Sequence, residues 1–255
     1  MRFVKGHGTE NDFVLLPDHD GALSLTPELV TRLCDRRAGI GADGVLRVVR
    51  SAAEPEAAGQ DAEWFMDYRN ADGSIAEMCG NGVRVYARHL VQQGLATAGQ
   101  LRLATRGGVK DVTVPPDGGV TVDMGPAVVG DPVHVDGQDG TSVDMGNPHV
   151  VLHVPSVVAL GVLHPDRTDL NVEYVEDAGP RLLRMRVHER GVGETRSCGT
   201  GACAAVVATA LRTGEPRGAA YDVDVPGGRL QVTWREDGHV LLTGPAEIVY
   251  EGEWR

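Results

Sequence analysis

The sequence predicts an α+β protein. Three observations carry that class. Short alternating apolar segments outnumber helical ones, and Gly, Pro and Asp punctuate them as they do strands. Turns such as Pro116-Asp117-Gly118-Gly119 suit antiparallel hairpins. A few longer apolar runs carry helix-start signals.

Taken in order, the alternating segments fall at 2–16, 45–49, 101–103, 109–114, 120–124, 150–154, 182–187, 230–234 and 239–243, with a last one near 247–250. The first helix is expected from Thr26-Pro27 to about Arg36, with threonine as cap and proline at the first helical position. A second follows Cys79 and ends at Gly94; a weaker third spans about 155–162; a fourth follows Cys198 and ends at Gly214. The Ala-, Glu-, Gly- and Gln-rich stretch 51–62 has no pattern and reads as a surface loop.

Two of these helices begin alike. Cys79-Gly80-Asn81-Gly82 opens one and Cys198-Gly199-Thr200-Gly201 the other. A cysteine just ahead of a first turn sits in the positive field of the helix N-terminus, which favours thiolate. The likeness extends further: Asn11-Asp12-Phe13-Val14 matches Asn147-Pro148-His149-Val150, and Asn70 and Glu189 each stand nine residues before their cysteine. The order of the matches suggests an internal duplication. It divides the chain into a first domain over 1–124, to which 245–255 returns, and a second over 125–244. The matching helix ends are expected to meet where ligand sites form.

Composition excludes several classes. The 255-residue chain carries a net charge of −12 and no basic stripe, so nucleic acid is not an expected partner. No run approaches the roughly 20 apolar residues of a membrane span. The start has no apolar signal core, so a cytoplasmic location is expected. Cys34 and Cys203 read as small buried hydrophobes. No Cys-x2-Cys pair exists, and Asp67 and Asp72 lack a ligand pattern, so no metal is expected.

Two thiols on matching helices suit inversion of an acidic carbon. One base removes the Cα proton and the other returns one to the opposite face, so one must start as thiolate and the other as thiol. The helix dipole is worth about 0.3–1 kcal/mol and up to about 2 when partly buried, against about 1.4 kcal/mol per pKa unit. It lowers a thiol by roughly one unit or less; anything more needs a neighbour such as His149, or desolvation. Backbone N–H groups of Gly80, Asn81, Gly199 and Thr200 are placed to hold the adjacent carboxylate. Pyridoxal phosphate would need a Schiff-base lysine, and only Lys5 and Lys110, both in strand-like segments, are present; no cofactor is expected.

Asn11-Asp12-Phe13, Asn70-Ala71-Asp72-Gly73-Ser74, Met78-Cys79-Gly80-Asn81-Gly82-Val83-Arg84, Met145-Gly146-Asn147-Pro148-His149, Asn171-Val172-Glu173 and the block from Glu189 to Gly201 together resemble the diaminopimelate epimerases. The resemblance spans nearly the whole chain, in order. It implies two similar domains, each a mostly antiparallel sheet curled around a central helix. It also implies a cofactor-independent epimerase of LL- and meso-2,6-diaminopimelate in lysine biosynthesis, as a cytoplasmic homodimer. Cys79 and Cys198 would be the two bases. His149 and Glu189 would tune the thiols and hold the reacting amino group. Asn11, Asn70, Asn147, Asn171 and Arg190 would bind the charged ends of the amino-acid substrate, and Gly80-Asn81 and Gly199-Thr200 its reacting carboxylate.

Two positions depart from the pattern. Gly44 stands where some relatives carry Gln, and Thr9-Glu10 where a Leu-Gly pair is common. Singly, each residue has a plainer reading: the asparagines as turn or cap residues, His149 as an ordinary strand histidine, Glu189-Arg190 as a surface ion pair. Another two-thiol racemase of the same chemistry and an amino-acid-binding protein on the same scaffold stay open as alternatives.

Overall fold

The computed structural model describes residues 1–255. The chain divides into two compact units, Met1–Val122 with Pro245–Arg255, and Asp123–Gly244. In chain order the strands are β1 (Arg2–Gly8), β2 (Asn11–Pro17), β3 (Gly44–Arg50), β4 (Trp64–Asn70), β5 (Gly99–Ala104), β6 (Lys110–Val114) and β7 (Val120–Pro126). There follow β8 (Val128–Val129), β9 (Val133–Val135), β10 (Gln138–Asp144), β11 (Pro148–His153), β12 (Asn171–Gly179), β13 (Leu182–Glu189), β14 (Gly193–Thr195), β15 (Ala220–Val225), β16 (Gly228–Trp234) and β17 (His239–Gly244). Finally β18 (Glu247–Glu253) returns to pair with β1. The helices are α1 (Pro27–Cys34), α2 (Gly80–Gln92) and α3 (Gly199–Thr213).

Each unit obeys the same pairing grammar. In the first, β18–β1 and β1–β2 are antiparallel, β2–β3 parallel, β3–β4 antiparallel, β4–β5 parallel, and β5–β6 and β6–β7 antiparallel. In the second, β8–β10–β11 are antiparallel, β11–β12 parallel, β12–β13 antiparallel, β13–β15 parallel and β15–β16–β17 antiparallel. Parallel neighbours need a crossover. The second crossover of each unit carries its long helix, α2 or α3, so each cysteine helix occupies the same topological place.

Both long helices are buried on almost every side, as expected of a helix that a sheet wraps around. Small residues of α3 from Ala202 to Ala205 let strands approach closely. Of the polar groups buried on α2, Arg88 donates to the carbonyls of Pro115 and Gly118, both at 2.8 Å, and Tyr86 Oη donates to the Phe65 carbonyl at 2.8 Å, whereas neither ring nitrogen of His89 is bonded.

Three expectations change. The segment 2–16 is two strands, turned at Thr9-Glu10, whose φ angles are +51° and +60°. The third helix is absent: only a 3₁₀ turn, Val158–Leu160, forms there. Three β-branched valines (Val157, Val158 and Val162), a left-handed Gly161 (φ +65°) and a length below about 12 residues give a helix little to nucleate on, and the Glu176 carboxylate takes the Val157 N–H at 3.0 Å. The loop at 51–62 holds two 3₁₀ turns, Ser51–Ala53 and Pro55–Ala57. Strands β4 and β12 escaped the pattern because Asp67 and Arg69, and Glu173, Glu176 and Asp177, interrupt their apolar runs.

Candidate active site

In the first unit Cys79 is the N-cap of α2, with extended backbone (φ −143°, ψ +121°) and Gly80 and Asn81 as the first two helical residues. The β1–β2 turn delivers Asn11 beside it: Asn11 Oδ1 lies 3.5 Å from Cys79 Sγ and accepts from Asn81 Nδ2 at 3.2 Å. The other end of that amide is fixed too, since Asn11 Nδ2 donates to Asp43 Oδ2 at 2.7 Å. Arg36 braces the base of this arrangement by donating to Asp43 and Asp12, both at 2.7 Å. Burial alone would raise Asp12, but the hydrogen bonds and charges of Arg36 and Lys5 outweigh it and bring Asp12 down to about 2. Thr9 is buried, with its hydroxyl 3.3 Å from Arg84 Nη2 and 3.5 Å from Asn81 Oδ1, while Glu10 is exposed. Asn70, at the end of β4, spends its amide on a turn, donating to Ser74 Oγ at 2.9 Å. A Cβ at Gly44 would fall 2.5 Å from the Arg69 carbonyl oxygen and 2.7 Å from Tyr68 Cε2, so this backbone leaves no room for a larger residue there.

In the second unit Cys198 caps α3 in the same way (φ −124°, ψ +116°), followed by Gly199 and Thr200. Its surroundings differ. His149 on β11 and Glu173 on β12 are both wholly buried, with His149 Nδ1 2.6 Å from Glu173 Oε1. His149 Nε2 lies 3.2 Å from Asn147 Oδ1. Glu189, at the end of β13, accepts from the Thr195 hydroxyl and from the Cys198 thiol. Burial raises the Glu189 carboxyl above its ordinary value, against the hydrogen bond from Thr195.

The expectation that the helix end favours thiolate does not hold for Cys198. Burial, then the negative fields of Glu189 and Glu173, push its thiol well above the usual range; hydrogen bonds from Thr200 and the Gly201 N–H offset only part of this. Desolvation reaches several units where the helix dipole supplies about one.

Asn171 plays a scaffolding part: its Nδ2 donates to the Pro148 carbonyl at 2.8 Å and its Oδ1 accepts the Arg190 N–H at 3.0 Å, tying β11 to the turn after β13. The Arg190 side chain is exposed in that turn. Cys34 and Cys203 are buried, and burial pushes the Cys34 thiol up to about 11. His149, Glu173 and Cys198 present donor atoms within 4.8 Å of one another. A soft cation at usual bond lengths of about 2.0–2.3 Å would compete with the His149–Glu173 hydrogen bond. The sequence assigns no role to Asp43, nor to Glu173 beyond its place in the Asn171-Val172-Glu173 motif; the signal for Glu173 is a lone acid inside the strand-forming run Val172-Glu173-Tyr174-Val175.

The family model described as "Diaminopimelate epimerase" matches residues 3–130 and 141–249. This chain belongs to the diaminopimelate epimerase family. A relative of that name from Streptomyces coelicolor is 56% identical over 279 aligned positions, covering 100% of this chain and 95% of its own. One from Thermobifida fusca is 51% identical, covering 100% and 98%. Among solved structures, a Bacillus anthracis phenazine biosynthesis protein of the PhzF family superposes with a TM-score of 0.78 at 14% identity, covering 100% of this chain and 99% of its own. A hydroxyproline epimerase from Agrobacterium vitis gives 0.70 at 15% identity, covering 99% and 91%. At such identities these two share the fold with this family member. No helix of the chain is long and apolar enough to cross a membrane.

Proposed function

We propose that this chain is a cofactor-independent isomerase that interconverts LL-2,6-diaminopimelate and meso-2,6-diaminopimelate, a step in lysine biosynthesis. Full-length identity of 56% to a relative named diaminopimelate epimerase carries the reading. The placement of the two cysteines at equivalent helix starts supports it at the level of residues.

In this proposal Cys79 and Cys198 are the two bases, acting on opposite faces of one Cα. The thiolate takes the Cα proton; the thiol gives its own to the other face; the charges of the two sulfurs exchange. N–H groups of Gly80, Asn81, Gly199 and Thr200 receive the substrate carboxylate, into which the carbanion's charge spreads. Glu189, Arg190 and the asparagines at 11, 70, 147 and 171 serve the amino group and the distal end of the substrate. The burial of Cys198 among carboxylates suits it to rest as the thiol. We assign the protein to the cytoplasm as a homodimer by the same resemblance.

The test is incubation with LL-diaminopimelate in deuterated water under reducing conditions without added cofactor. Meso product bearing deuterium at one Cα is expected; absence of solvent exchange would refute the assignment. Cys79→Ala and Cys198→Ala should each abolish turnover. Exchange with proline or hydroxyproline but not with diaminopimelate would move the protein to the racemase alternative.

A further inference from the structure

We propose that Glu173 is a positioning residue that holds His149 as a cation beside the Cys198 thiol, making the second half of the site chemically unlike the first. The inference rests on Cys198 being one of the two bases.

The shared topology lets the two units be compared residue by residue. In the first, Phe13 stands across from Gly44 in the β2–β3 register and Leu46 follows two residues on. Beneath the first turn of α2, a Cβ at Gly82 would touch Leu46, Cys79 and Phe13 at 3.4–3.6 Å. In the second, His149 stands across from Asn171 in the β11–β12 register and Glu173 follows two residues on. Beneath the first turn of α3, a Cβ at Gly201 would lie 2.6 Å from Glu173 Oε1. An apolar Phe13/Leu46 pair in one unit is thus replaced by an ionisable His149/Glu173 pair in the other. The fold needs only the apolar pair. Burying a charged pair gives no stability advantage over well-packed apolar groups of similar volume. Glu173 is 0% exposed and its Oε2 has no hydrogen-bond partner, so the carboxylate is held at a cost that packing does not explain.

The geometry points to what it does. His149 Nδ1 lies 2.6 Å from Glu173 Oε1 and Nε2 lies 3.2 Å from Asn147 Oδ1, so each ring nitrogen faces an oxygen, the surroundings that suit a proton on both. When Cys198 gives its proton to the substrate carbon, negative charge passes to a buried sulfur that already faces Glu189. The fixed imidazolium offsets that charge. When Cys198 recovers a proton from the carbon, the thiol re-forms, and His149 keeps both of its protons throughout.

Two variants of the full chain test this. His149→Phe/Glu173→Leu copies the pair of the first unit. It is expected to melt at or above the wild-type temperature while turnover falls by roughly 10²-fold or more. Glu173→Gln, nearly isosteric, is expected to change the nitrogen NMR of His149 at neutral pH from two ring N–H groups to one and to alter the pH profile of kcat/KM. A double variant that melts below wild type or keeps its turnover overturns the proposal. So does a Glu173→Gln protein whose His149 ring signals and pH profile match wild type. The ring readout needs no turnover, so it stands apart from failure of the diaminopimelate assignment.

Discussion

Gly201→Ala is the most direct probe of the buried acid beneath α3. Both Gly82 and Gly201 are third residues of their helices, and replacing an interior helical glycine by alanine is ordinarily worth about 0.5–1 kcal/mol in favour of the folded state. At Gly82 the new methyl would meet Leu46 Cδ2 at 3.4 Å and Phe13 Cζ at 3.6 Å, ordinary contacts, so Gly82→Ala should stabilise or be neutral. At Gly201 it would meet Glu173 Oε1 at 2.6 Å and Cδ and Cγ at 3.2 Å. Those atoms have no room to retreat, because Glu173 is fully buried and bonded to His149. Overpacking of this kind costs about 1–3 kcal/mol, which outweighs the helix gain. Gly201→Ala should therefore lower stability by roughly 1–2 kcal/mol, or about 2–8 °C in Tm at about 2–4 °C per kcal/mol. Turnover should fall as well, since Glu173 must drag His149 from its place. Paired thermal melts and solvent-exchange assays on both variants decide the matter. A Gly201→Ala protein as stable and as active as Gly82→Ala would refute the packing argument.

Four further outcomes follow from the geometry. Timed alkylation with peptide mapping at neutral pH should modify half-buried Cys79 well before Cys198, which is only 7% exposed and held as a thiol. His89 is buried with neither ring nitrogen bonded, and burial lowers it to about 4 from 6.5. The unfolded chain therefore takes up the proton first, and stability present above pH 6.5 should be lost as pH falls toward 4, by about 3 kcal/mol at 1.4 kcal/mol per unit; urea melts of His89→Leu should show a flatter dependence. Asp12 runs to lower pH. Its contribution is complete above about 4 and lost as pH falls through about 2, so Asp12→Asn should cost about 2 kcal/mol at neutral pH, measured by urea melts. Exposed Glu10 is held at φ +60°, so Glu10→Gly should raise stability by about 1 kcal/mol with turnover unchanged.

The features legible in the sequence were local ones. Thr26-Pro27 starts α1 as its cap chemistry requires, with Thr26 Oγ1 accepting the Leu29 N–H at 3.3 Å. Gly214 ends α3 in the left-handed conformation. The Cys-Gly-x-Gly starts put both thiols at helix mouths, because the glycines and the apolar runs behind them act over a single turn. Strands β4 and β12 were hidden because their buried acids are paid for by partners far along the chain: Asp67 by Arg106, Glu173 by His149.

The sequence by itself determined the α+β class, the repeated helix starts and the resemblance that named two thiols. Only the tertiary structure decided how unlike their settings are. Cys79 faces an amide oriented by Asp43, whereas Cys198 is buried against Glu189, with His149 and Glu173 beneath its helix. A helix dipole can be read from neighbouring residues. Desolvation and the field of carboxylates brought in on β12 and β13 cannot, because both depend on which distant strands fold against the sulfur, and at Cys198 these larger effects prevail.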